Sequence, residues 1–388
     1  MAEIQPGGGL GGSAQSLKQS SLRCGTRLVD TAAQPCCGSR SAAEPASDGG
    51  ARLVDISTHP CGGLRGAADQ PGSDSLPFSI PSDAPVFLCS GQGAQRPGMG
   101  ADLLDIPEVA GVFECASDVL GFDVADLVLH ADADTLNDTH NAQPALCVLT
   151  VAIARALMAR GVEPAAVLGF SLGQVSALAL SGMLSDEDTF AFVKARAELM
   201  AEAAAAHPGV MSALLKADEE SVVALCEECA QGEVLVPANF NCPGQIVIAG
   251  TPAAVERAEA AWAQAGKRSS RLATSGAFHS PLMASAAEGM AAYLANVDFA
   301  EARIPLVCNV TATPLSADEA RENLVQHLTH PVRFQQSVEA LGAAGADTFV
   351  EVGFGGVLTN LVKRIDKTAT RVCVQDRTSF DAFLSDFE

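Results

Sequence analysis

The sequence predicts an α/β fold, a large subdomain on a parallel sheet with a smaller unit inserted into it. Three observations carry this. From Ala84 onward, short apolar runs alternate with helix-periodic ones, the pattern of a parallel sheet covered by helices. Over residues 210–275 the order changes to strand, helix, strand, strand, helix, strand, that of a ferredoxin-like unit. Finally, Gly169-Phe170-Ser171-Leu172-Gly173 joins an apolar run directly to a helix-like run, so a serine stands in a sharp turn at a helix N-terminus.

The elements follow in order. Residues 85–89 read as a strand entering the turn Gly91-Gln92-Gly93-Ala94-Gln95, and helical patterns cover 103–120 and 144–158. The strand before Ser171 is 165–168, the helix after it 175–180, and a further helix spans 185–205. In the inserted unit, strands are expected at 211–216, 234–239, 245–250 and 268–274, with helices at 218–230 and 252–265. Pro252 opens the second helix, where a missing N–H costs nothing. The chain then returns to the larger sheet through a helix at 281–295, a strand at 305–309, a helix at 317–328 and a strand at 348–352. The large subdomain is therefore 83–209 with 276–388, hydrolase-like in its strand, serine turn and helix, and the ferredoxin-like subdomain is 210–275. A cleft is expected where they meet.

Residues 1–82 differ. They are rich in Gly, Ser, Ala and Pro, lack long apolar periodicity and are expected to be a disordered extension. They carry a short repeat, Arg27-Leu28-Val29-Asp30 before Pro35-Cys36 and Arg52-Leu53-Val54-Asp55 before Pro60-Cys61, too small to build a solenoid.

Composition narrows the function classes. The chain has 388 residues, 48% of them hydrophobic, ample for a buried core. A net charge of −22 argues against a nucleic-acid surface, which needs clustered Lys and Arg. Basic pairs at Lys267-Arg268 and Lys363-Arg364 are the candidates for a local anion-binding patch. The most apolar helical run, 144–154, is closed by Arg155 and falls short of the roughly 20 residues that span a bilayer, so no membrane association is expected. The N-terminus lacks the basic-then-apolar pattern of a secretory signal. Twelve cysteines are scattered, with Cys89, Cys147, Cys308 and Cys373 inside apolar runs, which suits buried reduced thiols. The single C-x-x-C, Cys226 to Cys229, has no second pair, and no metal site is expected there. A cytoplasmic, reducing location follows as the expectation.

A serine hydroxyl needs a base to act as a nucleophile near neutral pH. Among seven histidines, His279 stands in Ser275-Gly276-Ala277-Phe278-His279-Ser280-Pro281, where the chain leaves the small unit and meets the cleft. A loop histidine is equally often plain polar surface. Arg196 shares one helical face with Phe192 and Leu199, so it faces inward and needs an anion. That anion is either a substrate carboxylate or a buried Asp or Glu, and spacing alone does not choose.

From residue 84 to the C-terminus the chain resembles the malonyl-CoA:acyl carrier protein transacylases. The resemblance rests on ordered motifs: Gly91-Gln92-Gly93-Ala94-Gln95, Gln143-Pro144-Ala145-Leu146, Gly169-Phe170-Ser171-Leu172-Gly173, Arg196, Ala238-Asn239-Phe240-Asn241 with Pro243-Gly244-Gln245, Gly276-Ala277-Phe278-His279-Ser280, and Val352-Gly353 with Lys363-Arg364-Ile365. It implies a ping-pong transfer of malonyl from malonyl-CoA to the phosphopantetheine thiol of acyl carrier protein, supplying fatty-acid synthesis. The resemblance assigns Ser171 as nucleophile and His279 as base, oriented by backbone carbonyls, one at His327. It puts the oxyanion hole at the backbone N–H groups of Gln92 and Leu172. Arg196 grips the malonyl carboxylate, and Phe278, in Ala277-Phe278-His279, selects malonyl over methylmalonyl by bulk. No metal or cofactor is implied beyond the coenzyme A thioester, and a monomer is expected.

This chain departs from the family pattern at three positions. Phe170 replaces a histidine before the nucleophile, Gln174 a glutamate after the second glycine, and Phe354 a proline. Phe170 puts rate and acyl preference in question; Phe354 reads as packing. The competing readings are a serine thioesterase or esterase, an acyltransferase of a polyketide pathway, and a carrier-docking protein without turnover. Hydrolases of the same G-x-S-x-G kind place an acid between Ser and His, and none stands out here.

Overall fold

The structure, a computed structural model, describes residues 76–387. The Arg-Leu-Val-Asp repeat and the expected extension up to residue 75 lie outside them. The folded body begins earlier than the expected boundary at 83. Leu76 and Ile80 are buried against Val338 and Leu341, and the Ile80 N–H donates to the Ala344 carbonyl at 2.8 Å.

Five parallel strands make the large sheet, in the order β7-β2-β1-β8-β9: β1 Val86–Cys89, β2 Ala166–Gly169, β7 Leu306–Val307, β8 Thr348–Val352 and β9 Thr370–Val374. β1 and β2 are buried on both faces, which is why they read as unbroken apolar runs. Helices α1 Pro107–Leu120, α2 Val124–His130 and α3 Ala133–Asn137 lead into α4 Thr139–Met158. α4 starts five residues before the expected position. Asp138 caps it by accepting from the His140 N–H at 2.9 Å, and Pro144 is carried inside, forgoing one bond. At 20 residues α4 is long and apolar enough to cross a membrane by length and composition, but 83% of its apolar stretch is buried in the protein. It is the core helix, apolar all round because it is covered all round.

After β2 come α5 Gly173–Ser181 and α6 Asp186–Ala206, the latter capped by Ser185. The small unit is β3 Val210–Ala217, α7 Glu219–Ala230, β4 Leu235–Cys242, β5 Gly244–Gly250, α8 Pro252–Gln264 and β6 Ser269–Arg271. Its antiparallel sheet runs β4-β5-β3-β6, the ferredoxin-like arrangement. Period-two alternation assigns its faces. Leu214, Ile246 and Ile248 pack under α7 and α8, while Met211, Ala213, Val247 and Ala249 join the core of the large subdomain. β4 is also tied to the large body by Phe240 N–H to the Val332 carbonyl, 2.8 Å, and Val332 N–H to the Ala238 carbonyl, 2.9 Å. The unit is therefore docked by one whole sheet face.

The chain returns through α9 Ala284–Leu294, β7, α10 Ala317–Gln326, α11 Phe334–Ala343, β8, α12 Val357–Ile365, β9 and α13 Arg377–Phe387. β7 is only two residues because Cys308 and Asn309 spend their N–H groups elsewhere, on the Thr313 carbonyl and the Gln174 side chain. β6 is three residues because β3 pairs with it only over Ser212–Leu214. The thiols of Cys89, Cys147 and Cys308 are buried as expected, whereas Cys373 lies on edge strand β9 and is half-buried. Cys226 and Cys229 are free thiols in α7, facing the small core, where burial pushes Cys226 up to about 12.

Glycine is required where α5 meets β1. A Cβ on Gly173 would fall inside the van der Waals radius of the Cys89 carbonyl oxygen, because α5 starts directly against β1. Gly173→Ala is expected to cost about 3 kcal/mol or more, through displaced backbone. By contrast Gly111, inside α1 with open space at its Cβ position, should gain about 0.5–1 kcal/mol as alanine. Urea unfolding midpoints of the two variants check both signs.

Candidate active site

Ser171 occupies a left-handed backbone conformation, φ 53°, between the end of β2 and the start of α5. A side chain there is strained and persists only where its surroundings fix it. The Ser171 N–H donates to Asn309 Oδ1 at 2.8 Å, and the Ser171 carbonyl accepts from the Gln174 N–H at 3.0 Å. Gly169 and Gly173 let the two arms of the turn close to backbone contact.

His279 has the same left-handed geometry, φ 58°, in the loop that leaves the small sheet. Ser280 builds that loop: its Oγ donates to the Ala277 carbonyl at 2.6 Å and accepts from the Leu282 N–H at 3.3 Å, capping a single 3₁₀ turn Pro281–Met283. The His279 Nδ1 lies 2.8 Å from the His327 carbonyl. A carbonyl only accepts, so Nδ1 carries the proton. Nε2 is then a free lone pair, and it lies 2.7 Å from Ser171 Oγ. Burial, and after it the charge of Arg196, lower His279 to about 4, against the pull of backbone carbonyls at His327 and His330. The imidazole is neutral at physiological pH.

Arg196, on α6, is 2% exposed. Its Nη1 donates to Gln143 Oε1 at 2.6 Å, and its Nη2 is buried with no partner. No Asp or Glu pairs with it among the described residues, so the structural salt bridge left open by spacing is not what Arg196 serves. Burial lowers it to about 10, which leaves it charged at neutral pH. A buried cation with an unused donor is prepared for an anion.

Ser171, His279, Arg196, Gln92 and Phe278 line one cavity of about 120 Å³, whose wall also takes Met211 and Asn239 from the small sheet. Leu172 is not among the lining residues; its side chain is in the core at the head of α5. The Gln92 Nε2 donates to Thr139 Oγ1 at 3.3 Å, and Thr139 Oγ1 meets Ser275 Oγ at 2.8 Å. One polar chain thus ties the first loop to the head of α4 and to the loop leaving the small sheet.

Of the departures, Phe170 lines the cavity and rests edge-on against Phe334, centroids 5.4 Å apart at 71°. Phe354 packs against the large core. Gln174 is buried, with Oε1 accepting from the Asn309 N–H at 2.6 Å and Nε2 unpartnered. Sequence reasoning missed Asn309, Thr139 and Ser275. For Asn309 there was one usable signal, a polar residue directly after an apolar strand, at the strand end where α/β sheets place their sites. Among the described residues no three His, Cys, Asp or Glu side chains converge as metal ligands.

The neutral, buried imidazoles of His279 and His327 have a consequence for acid stability. Both have depressed folded pKa values, so between about pH 6.5 and 4 the unfolded chain binds more protons and stability falls as pH falls. His279 alone should account for about 2 kcal/mol lost between pH 7 and pH 5. His279→Gln should flatten that slope by a similar amount in urea titrations at the two pH values; an unchanged slope would contradict the assignment.

A family model described as "Acyl transferase domain" matches residues 86–377. The malonyl CoA-acyl carrier protein transacylase of Bacillus subtilis (strain 168) is 38% identical over 295 residues, 75% of this chain and 93% of its own length. That of Escherichia coli (strain K12) is 40% identical over 303 residues, 77% of this chain and 98% of its own. Among solved structures, a malonyl-transacylase in complex with its type II PKS acyl-carrier protein superposes with a TM-score of 0.76 at 39% identity, covering 78% of this chain and 99% of that one. An acyl carrier protein S-malonyltransferase from Vibrio cholerae O1 biovar eltor gives 0.74 at 39% identity, over 77% and 99%. The two-subdomain fold is thus shared along nearly the whole of these relatives, and the chain belongs to the malonyl-CoA:acyl carrier protein transacylase family of acyltransferases.

Proposed function

We propose that this chain transfers malonyl from malonyl-CoA to the phosphopantetheine thiol of acyl carrier protein through a malonyl-serine intermediate. The observation that carries the reading is the Ser171 Oγ to His279 Nε2 contact of 2.7 Å beside a buried arginine with an unused donor. In the first half-reaction Ser171 Oγ attacks the thioester carbonyl and its proton passes to His279 Nε2. The imidazolium is held by the His327 carbonyl, and no carboxylate is required. The family resemblance assigns the oxyanion to the backbone N–H groups of Gln92 and Leu172, and the Ser171 N–H, engaged by Asn309, is left out of that role. Collapse of the tetrahedral adduct expels the coenzyme A thiolate, which takes the proton from Nε2. In the second half, Nε2 accepts the proton of the carrier thiol, sulfur attacks the malonyl ester, and the proton returns to Ser171 Oγ.

Arg196 reads the free carboxylate through Nη2, and Phe278 crowds the α-carbon against a methyl branch. Carrier protein as acceptor is supported by the relatives' names and by the solved complex of a similar malonyl-transacylase with its carrier. Of the two basic pairs, Lys267 is used within the fold, over the Trp262 ring at 3.9 Å and 4.0 Å from Asp218. Lys363 and Arg364 instead gather with Lys367 and Arg371 around a surface depression at Pro243, a fitting place for anionic groups of a partner. All the reacting groups come from one chain, so a monomer suffices. Free buried thiols fit a reducing compartment such as the cytoplasm, and the malonyl units are assigned to fatty-acid synthesis.

Two measurements test this. Radiolabelled malonyl-CoA should leave acid-stable label on Ser171, stable in water until carrier protein is added. Rapid loss to water would make the chain a hydrolase, and absence of label in the folded protein would leave only docking. Arg196→Ala should lower malonylation of Ser171 by about 100-fold or more while acetyl-CoA acylation is spared or rises, because only malonyl offers a carboxylate to a guanidinium. Equal losses for both esters would assign Arg196 to the fold instead.

A further inference from the structure

We propose that Asn309 is the positioning residue of this site: it holds the Ser171 backbone in its left-handed conformation, and Gln174 in turn holds Asn309. The proposal rests on the reading of Ser171 as the nucleophile. Asn309 is completely buried, and each of its polar groups is engaged. The side-chain Nδ2 donates to the Gly169 carbonyl at 2.7 Å, and Oδ1 accepts from the Ser171 N–H at 2.8 Å. The backbone N–H donates to Gln174 Oε1 at 2.6 Å, and the backbone carbonyl accepts from the Arg333 N–H at 2.8 Å.

One planar amide therefore bridges the two residues that flank Phe170. Its orientation is fixed by chemistry, since the Gly169 carbonyl can only accept and the Ser171 N–H can only donate. No other side chain of this size offers a donor and an acceptor side by side without charge. A glycine would adopt the turn without strain but would carry no hydroxyl, so a serine nucleophile here needs external restraint. Asn309 supplies it at the end of β7, and the Asn309 backbone is itself anchored on α5 through Gln174 and on the segment before α11 through Arg333. The restraint also engages the Ser171 N–H. Asn309 touches neither the hydroxyl nor the acyl group; it acts through Ser171.

The test is the single-turnover rate of Ser171 labelling by radiolabelled malonyl-CoA, with the full chain and a range of malonyl-CoA concentrations. Asn309→Ala should lower the saturating rate by about 100-fold, the cost of a misplaced nucleophile, with the half-saturating concentration changed less than about 3-fold. Val255→Ala, a truncation in the core of the small subdomain, should lower thermal stability yet label at the wild-type rate. Gln174→Glu, which keeps an acceptor for the Asn309 N–H, should stay within about 3-fold of wild type, and Gln174→Met, which has none, should lose about 10-fold. Should Asn309→Ala fail to fold, the Gln174 pair carries the test, and a folded Gln174→Met labelling at the wild-type rate overturns the proposal. So does wild-type labelling by Asn309→Ala, or a loss that appears mainly as a raised half-saturating concentration. Absence of label on wild-type Ser171 would be a different result, removing the nucleophile reading itself.

Discussion

A serine at φ 53° does not stay there unaided, and much of this fold can be read as the apparatus that keeps it there. The turn needs two glycines: a Cβ on Gly169 would strike the backbone of Gly173 and Gln174, and one on Gly173 the Cys89 carbonyl of β1. It needs a β1 and β2 buried on both faces, so that the strand end does not shift, and a core helix, α4, packed against α5 and α6. The acceptor for the Ser171 N–H then comes from Asn309, just past β7 and more than a hundred residues further on. Local sequence alone specifies a strained turn; the parallel sheet makes it tolerable, because β7 lies beside β2 and delivers Asn309 to the same edge.

The inserted unit solves a second problem. His279 must reach Ser171 from the opposite wall, and its loop must be as rigid as the serine turn. The small sheet docks through one complete apolar face, so the segment that follows it emerges in a fixed place. The polar chain from Gln92 through Thr139 to Ser275 closes the same gap from the other side. Its hydroxyls cost no buried charge. Among the described residues lining the cavity, the buried charge is Arg196, held by a neutral amide.

Much of this was legible in the residues. The period change near residue 210 marks the insertion, because alternation of single residues and helical periodicity cannot be confused over several consecutive elements. Ser171 stands in a turn whose shape has a chemical reason, whereas His279 and Arg196 were left open by spacing and singled out by the family resemblance; the structure brings all three to one cavity. Asn309 was not legible, since its partners are 138 and 140 residues away and nothing local distinguishes it from any strand-end asparagine. The start of α4 was misjudged for the opposite reason: Pro144 is a strong local stop signal, and burial on all sides overrode it. Tertiary enclosure is invisible to a one-dimensional pattern, and both errors come from it. The elements after residue 352, α12, β9 and α13, went unassigned.

The cation of Arg196 contributes to the low basicity of His279. Its influence is electrostatic, so it lasts only while the guanidinium is unpaired. On the proposed reading of Arg196 as the partner of the malonyl carboxylate, a carboxylate docked on Nη2 offsets that charge, and the imidazole then accepts a proton more readily. An uncharged acyl group or a water molecule leaves the field in place and meets a weaker base. On that reading, discrimination is exercised after binding as well as during it, because the substrate's own negative charge raises the basicity of the imidazole beside it.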